Sequence, residues 1–246
     1  MSAFDSLKSL LTRYRALEHH HNTLLAEQLN AVQVWQKNRM QTTHHDLFTQ
    51  PNHLLMAEYF LNRLYGGAEF NILAGQFERV LEKTKKLEKI VPDSAISTGT
   101  LGIELAVLAI ELDEQLATLL LGQQQHIVEP DDARMLAAYQ QANQAEQRIH
   151  QMALLNELGQ GLDKYVRSFM IQTAFKMAKN TAYKHDFAPV YDFTAEGFAA
   201  MKPLTSAADF IAGFTAQECE IIDRVHTNHP DPFKRWADLP TSALES

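Results

Sequence analysis

Two glutamates in this sequence have a spacing that places them on one helix face. Glu104 and Glu111 are seven residues apart in an apolar stretch, close to two turns of an α-helix. Such a pair of carboxylates either lines an interior pocket or belongs to a polar stripe at the surface. Since an unpaired buried carboxylate is costly, we favour the surface stripe.

Arg39 is the basic residue that could pair with these carboxylates. It follows Trp35 by four residues, so both side chains lie on one apolar helix face. We expect a largely buried guanidinium paired with a carboxylate, with Glu104 or Glu111 as the leading candidates. Trp35, Arg39, Glu104 and Glu111 are therefore the candidate ligand-binding residues. Arg39 would either clamp the fold, which we favour, or anchor an anionic ligand.

The eleven histidines raise the question of a metal site. A di-iron bundle needs two Glu-x-x-His motifs, and Glu18 with His21 supplies the single copy in the chain. We therefore expect no metal and no other cofactor, and keep Glu18 and His21 as a weak alternative. His21 falls on the apolar stripe of the predicted first helix, which leaves a haem pocket conceivable.

The usual catalytic and nucleotide-binding motifs are missing from the sequence, so no catalytic residue can be named. GxGxxG, GxxxxGK[ST], HExxH and GxSxG do not occur. Gly159-Gln160-Gly161 comes nearest to a phosphate loop, but it lacks a third glycine and a preceding strand. We interpret it as a turn between two helices.

Helix-breaking residues fall only between long periodic segments. The first 50 residues contain neither proline nor glycine, and a break near Asn22 divides them into two helices. Residues 129–132 should open a helix that reaches Leu158, Thr98 or Thr100 should cap another, and Ser206 should cap the last. Strand-like alternation is missing. The sequence predicts one all-α domain of seven to nine helices, with more than about 60% helix.

The domain should span residues 1–229, followed by an extended tail, residues 230–246, in which prolines forbid a long helix. Phe233 and Trp236 would be costly to leave in water. We expect both aromatic side chains to dock on the helical body or on a second subunit.

Composition excludes several classes of partner. The net charge of −8 is a poor match to a nucleic acid. The most apolar stretch, residues 101–121, contains four acidic residues, which argues against a membrane span. The N-terminal sequence has no cationic start or apolar core of a signal peptide. We expect a soluble cytoplasmic protein, without nucleic-acid or membrane partners, which could form a homo-oligomer.

Residues 59–66, YFLNRLYG, resemble the motif of the bacterial FFLEELY family, which has no established function. Further segments resemble that family at residues 35–39, 46–48, 197–200, 208–211 and 231–233. Asn62 and Arg63 replace the two glutamates of the motif, and Tyr59 replaces its first phenylalanine. The resemblance implies an all-α fold and a motif that docks helices rather than an active site.

These observations favour a protein that acts by binding, either of a small ligand or of a protein partner. The alternative is a helical-bundle enzyme or a metal or haem protein that uses an interior pocket near Arg39, Glu104, Glu111 and His21.

Overall fold

The computed structural model describes residues 3–81, 93–122, 124 and 126–235, and its regular elements are helical. Of the described residues, 81% are helical, and none lies in a strand. The predicted all-α fold and high helical content are therefore confirmed.

Eleven α-helices lie in the described part of the chain, more than the seven to nine predicted. They are α1 (Ala3–Arg15), α2 (Thr23–Thr43), α3 (His45–Phe48), α4 (Leu54–Tyr59), α5 (Gly67–Leu81), α6 (Asp93–Leu121), α7 (Asp132–Ala142), α8 (Ala145–Arg167), α9 (Phe169–Lys184), α10 (Ala188–Met201) and α11 (Ala207–His226). A 3-10 turn (Glu18–His20) follows α1, and a π-helical turn (Phe60–Leu64) continues α4.

Two predicted helix starts are confirmed at the level of single hydrogen bonds. The Asn22 side chain accepts from the backbone N–H of Leu25 and caps α2. The Ser206 side chain accepts from the N–H of Asp209 and caps α11. Each side chain satisfies a backbone donor that the first helical turn would otherwise leave unpaired.

Other predicted boundaries are wrong. α6 begins at Asp93, so neither Thr98 nor Thr100 caps it. The helix expected up to Leu158 ends earlier, at Asn143, which adopts a left-handed backbone with φ 51°. Asparagine tolerates that conformation better than most residues. This break adds one helix to the predicted number.

The Gly159-Gln160-Gly161 segment does not interrupt α8, contrary to the prediction of a turn. A Cβ atom at Gly159 would lie 2.8 Å from Cδ1 and 3.2 Å from Cβ of Ile211. Gly159 therefore lets α8 and α11 approach closely. Here the glycine serves helix packing, which the local sequence could not distinguish from a turn.

The core consists of two clusters of buried side chains. One joins α1, α2, α6 and α7 and includes Tyr14, Val32 and Val107. The other joins α3, α4, α8, α10 and α11 and includes Phe48 and Phe214. Because α2 contributes Trp35 to the first cluster and Met40 to the second, the polar residues between them on α2 lie where the clusters meet.

The described start of the C-terminal tail docks on the helical body. Phe233 is buried and packs edge-on against Trp35, with ring centroids 5.0 Å apart, and lies 6.0 Å from the ring of Tyr139. The backbone oxygen of Lys234 accepts from Arg224. The predicted docking is confirmed for Phe233, whereas Trp236 lies outside the described residues.

None of the described helices combines the length and the apolar character that crossing a membrane requires.

The contrast between two glycines of α8 gives a test of this packing. Gly159→Ala should lower the free energy of unfolding by about 1–2 kcal/mol, because displacing Ile211 costs more than the better helix propensity of alanine returns. At Gly161 a Cβ would meet Thr98 only at 3.6 Å, so Gly161→Ala should raise stability by about 0.5–1 kcal/mol. Denaturant titration measures both changes, and equal effects would contradict the close approach.

Truncation tests the docked tail. Ending the chain after His229 removes Phe233 from its contacts and should lower the melting temperature by about 5 °C or more. Ending it after Arg235 keeps Phe233 and serves as the control. If both truncations have the same melting temperature as the full chain, the contact of Phe233 does not stabilise the fold.

Candidate functional site

A network of buried polar side chains crosses the junction between the two core clusters. We call it the Arg39 network. Its members come from α2, α6, α7, α8, α11 and two connecting segments: Gln36, Arg39, His44, Tyr65, Asp113, Tyr139, Arg148 and Glu218.

Arg39 and Glu218 form the central ion pair of this network. Both guanidinium Nη atoms donate to the carboxylate, and the Nη2–Oε2 distance is 2.9 Å. The two side chains are 8% and 9% exposed. His44, which is fully buried, places Nε2 2.6 Å from Oε1 of Glu218. The carboxylate is therefore shared between an arginine and a histidine.

This arrangement keeps Glu218 ionised. Burial alone would raise the pKa of its carboxyl, but the charge of Arg39 and the hydrogen bond from His44 outweigh burial and lower the pKa to about 2. Burial alone would lower the pKa of the Arg39 guanidinium, but the neighbouring carboxylate of Glu218 raises this pKa above its ordinary value. The pair is therefore charged across the physiological pH range.

Asp113 is the second buried carboxylate of the network. It accepts hydrogen bonds from the Tyr65 hydroxyl and from Nε2 of Gln36, and lies 3.5 Å from Nη2 of Arg148. Burial raises the pKa of Asp113 although Arg148 and the two hydrogen bonds oppose the change. Burial also raises the pKa of Tyr65 and of Tyr139. Asp113 is thus held less firmly in its charged form than Glu218.

The structure confirms the predicted burial and pairing of Arg39, but the predicted partner is wrong. Glu111 instead pairs with Arg13 of α1 at 2.5 Å, and that arginine is 48% exposed. Glu104 is half-buried on the same face of α6. Glu111 contacts α1 and Arg39 contacts α11, so the face of α6 that carries Glu111 does not meet Arg39.

Trp35 is buried one turn before Arg39, as the shared stripe predicts. Its indole Nε1 donates to Asp132 at 3.1 Å, and its ring contacts Phe233. Trp35 and Arg39 are therefore close to each other, but the structure does not bring Glu104 or Glu111 to them. The carboxylates of the network are instead Glu218, which pairs with Arg39, and Asp113, which is connected to Arg39 through Gln36. No local pattern in the sequence distinguishes these two residues from other acidic residues.

A small cavity of about 30 Å³ lies beside the central ion pair, bounded by side chains that include Arg39, Tyr139, Arg148, Glu218 and Phe233. A single water needs about 10–15 Å³ of such space, whereas pockets for organic ligands usually measure about 300–1,000 Å³. The cavity therefore has room for one or two waters or a single small ion, and not for an organic ligand.

A larger hollow lies on α1, with a volume of about 510 Å³, and is lined by Asp5, Lys8, Ser9, Thr12, Arg13 and Ala16. All these residues belong to one helix or its C-terminal end. A hollow with walls from a single helix cannot enclose a ligand from several sides, so it carries no specific site.

The weak metal alternative does not form a ligand group. α1 ends at Arg15, so His21 does not belong to its apolar stripe and is exposed. Glu18 accepts instead from the side chain of Asn22. Within the described ranges, no three His, Cys, Asp or Glu side chains are grouped so as to hold a metal ion.

The outer face of α9 is the surface feature that sequence reasoning missed. Phe169, Met170 and Met177 are 83%, 81% and 76% exposed, and no residue of α9 is buried. A signal was available, because residues 164–185 contain five lysines or arginines and no acidic residue in a chain of net charge −8. That run also contains the exposed apolar residues, so it combines positive charge with apolar surface.

A family model for a domain of unknown function, DUF8198, matches residues 16–232. The chain belongs to this family. The matched region includes the whole Arg39 network and α9, and excludes α1 with its hollow. No curated protein and no solved structure matches the chain. Membership in DUF8198 assigns no activity.

The central ion pair gives a pH-dependent prediction. Glu218→Gln should lower the free energy of unfolding by about 3 kcal/mol at pH 7, because it leaves Arg39 and His44 without their carboxylate. The folded-state pKa of Glu218 is depressed from 4.5 to about 2, so this stabilisation is complete above pH 4.5 and is lost as the pH falls toward 2. The difference in the free energy of unfolding between the wild type and the variant should therefore become smaller as the pH falls from 4.5 toward 2.

Denaturant unfolding at several pH values between 7 and 3 measures this difference. Asp223→Asn, on the same helix, is the control, because the side chain of Asp223 is exposed. The control should change stability by less than about 1 kcal/mol. Equal losses in the two variants would contradict a special role for the buried pair.

Proposed function

We propose that this protein acts by binding a protein partner through the outer face of α9. The single observation that carries the proposal is the exposure of Phe169, Met170 and Met177 on a helix without buried residues. An organic ligand inside the bundle is not supported, because the cavity beside Arg39 is too small and the charge of Arg39 is already balanced by Glu218.

Exposed apolar side chains are common singly, but a group of large ones on one surface favours an interaction site. Met170 and Met177 are seven residues apart, which places them on one helical stripe, with Ala174 exposed between them. Covering a large apolar side chain contributes about 1.5–3 kcal/mol. Methionine also adapts its shape to irregular partner surfaces.

The charge of α9 selects an acidic partner. Lys176, Lys179 and Lys184 lie on this helix, and the described contacts give none of them an ion pair; Lys179 lies 5.5 Å from the ring of Tyr183. A second copy that used the same face would oppose lysine to lysine. We therefore propose a partner segment that is amphipathic and acidic, with apolar anchors spaced for a helix.

A protein segment explains the face better than a lipid surface does. Helices that lie in a membrane interface present a broad apolar face. On α9 the exposed apolar stripe is narrow, since Thr173, Asn180 and Lys184 are exposed on the same side. Anchors at positions i and i+7 beside lysines match the recognition of one helix by another.

We further infer that this family includes the proteins with the FFLEELY motif. In support, segments that carry the resemblance meet in the fold. The Tyr59 hydroxyl donates to the backbone oxygen of Phe193 at 2.8 Å, and a Cβ at Gly197 would lie 2.9 Å from that hydroxyl. Arg63, in place of a glutamate, pairs with Glu69 and Glu196. These contacts dock helices, as the resemblance implies.

A random library of 16-residue peptides, displayed on phage and selected on the full chain, tests the proposed partner chemistry. Enriched peptides should combine Asp or Glu with Leu, Phe or Met at helical spacing. Met170→Asp combined with Met177→Asp should weaken binding of the best synthetic peptide at least about tenfold, because the apolar contacts are lost.

The matched control is Leu54→Asp combined with Leu55→Asp, since these leucines are each 52% exposed but lie on α4. This variant should bind the peptide normally. Lys176→Glu with Lys179→Glu should weaken binding of acidic peptides. The proposal fails if the α9 apolar variant binds the peptide as wild type does. It also fails if phosphatidylserine vesicles or a second copy of the chain, rather than peptides, bind in an α9-dependent manner.

A further inference from the structure

The small cavity beside Arg39 is lined by two arginines that each have a buried guanidinium nitrogen without a hydrogen-bond partner among the described residues. We infer that it binds a single small anion, of the size of chloride or bromide, between Arg39, Tyr139 and Arg148. The inference concerns the interior of the bundle and does not depend on the partner proposed for α9.

The first two donors are guanidinium nitrogens. Nε of Arg39 and Nη2 of Arg148 are both buried and have no hydrogen-bond partner among the described residues. Both side chains line the cavity, and they are 8% and 9% exposed. Arg148 also attracts Asp113, but the Nη2–Oδ1 distance of 3.5 Å is long for a hydrogen bond. A buried donor without an acceptor is costly, so an acceptor in the cavity would be stabilising.

The third donor follows from the orientation of Gln36. Its Oε1 faces Nη2 of Arg39 at 3.2 Å, and because a guanidinium can only donate, that atom must be the amide oxygen. The amide nitrogen of Gln36 then donates to the Tyr139 hydroxyl oxygen. The proton of Tyr139 must therefore point elsewhere, and Tyr139 lines the cavity. Three residues that each have an unused donor thus line one small space.

A water molecule matches this donor set poorly. Water that accepts two hydrogen bonds must still place two protons on acceptors. Glu218 lines the cavity, but only one of its roughly four acceptor positions is unused, since Oε1 accepts from Arg39 and His44 and Oε2 accepts from Arg39. A monatomic anion accepts from every donor and has no proton to place.

The local charges permit an anion. Arg39 and Arg148 are opposed by Glu218 and Asp113, with His44 beside Glu218. Glu218 is fully engaged by Arg39, and Asp113 also accepts from Tyr65 and Gln36. Burying an anion costs free energy unless it is paired and hydrogen-bonded, and two guanidinium groups supply both conditions. The volume of about 30 Å³ suits a monatomic anion better than sulfate or an organic acid.

Thermal unfolding in sodium chloride and in sodium gluconate, at equal ionic strength, tests the inference. Gluconate is too large for the cavity. Chloride at 100 mM should raise the melting temperature by about 2–4 °C in a saturable manner, since a ligand that binds only the folded state stabilises it. Tyr139→Phe, which removes one donor, should reduce the rise by at least half. Tyr183→Phe, whose hydroxyl contacts Asp192 at the surface, should preserve it.

Anomalous diffraction from crystals grown in sodium bromide gives an independent readout. A peak between Arg39 and Arg148 is expected for wild type. Equal melting temperatures in both salts without such a peak would show that the cavity holds water and would overturn the inference. A chloride effect that Tyr139→Phe leaves unchanged, with bromide found only at the surface, would overturn it as well.

Discussion

The fold depends on balancing the charge of Arg39 inside the bundle. An isolated buried guanidinium would cost several kcal/mol, so a carboxylate must reach it. Glu218 does so from 179 positions further along the chain. Because two guanidinium nitrogens meet one carboxylate, the pair constrains both the distance and the rotation of α2 relative to α11. A sliding of either helix by one turn would leave two buried charges without partners.

The remaining polar residues extend this constraint to other helices. Gln36 connects the pair to Asp113 of α6 and Tyr139 of α7, and Arg148 of α8 lies over the Tyr139 ring at 4.6 Å. Each contact demands a particular geometry, unlike the apolar contacts on both sides, which tolerate small displacements. The Arg39 network therefore specifies how the two apolar clusters are aligned. Two of its buried guanidinium nitrogens, Nε of Arg39 and Nη2 of Arg148, have no hydrogen-bond partner among the described residues.

The interior and the surface of this protein differ in what they leave unpartnered. Inside, the central ion pair is complete and the cavity beside it measures about 30 Å³. On α9, large apolar side chains and lysines are exposed, and we propose that a protein partner covers them. The described start of the C-terminal tail belongs to the interior, because Phe233 packs against Trp35 and Tyr139.

The sequence by itself determined the helical character and several helix starts. Asn22 and Ser206 cap helices through bonds to residues three positions away, so their signals are local. The burial of Arg39 was also readable, since Trp35 lies four residues before it on the same face. All these inferences rest on neighbours within about one turn of helix, where spacing defines geometry.

Only the tertiary structure decided which distant residues meet. The sequence predicted Glu104 or Glu111 as the partner of Arg39, but packing turns Glu111 toward Arg13 and brings Glu218 to Arg39. Gly159 resembles a turn residue until Ile211 occupies the space beside it. The composition of α9 likewise does not show which of its faces the bundle covers. Such choices depend on how helices pack against each other, which is a property of the whole chain and not of any short segment.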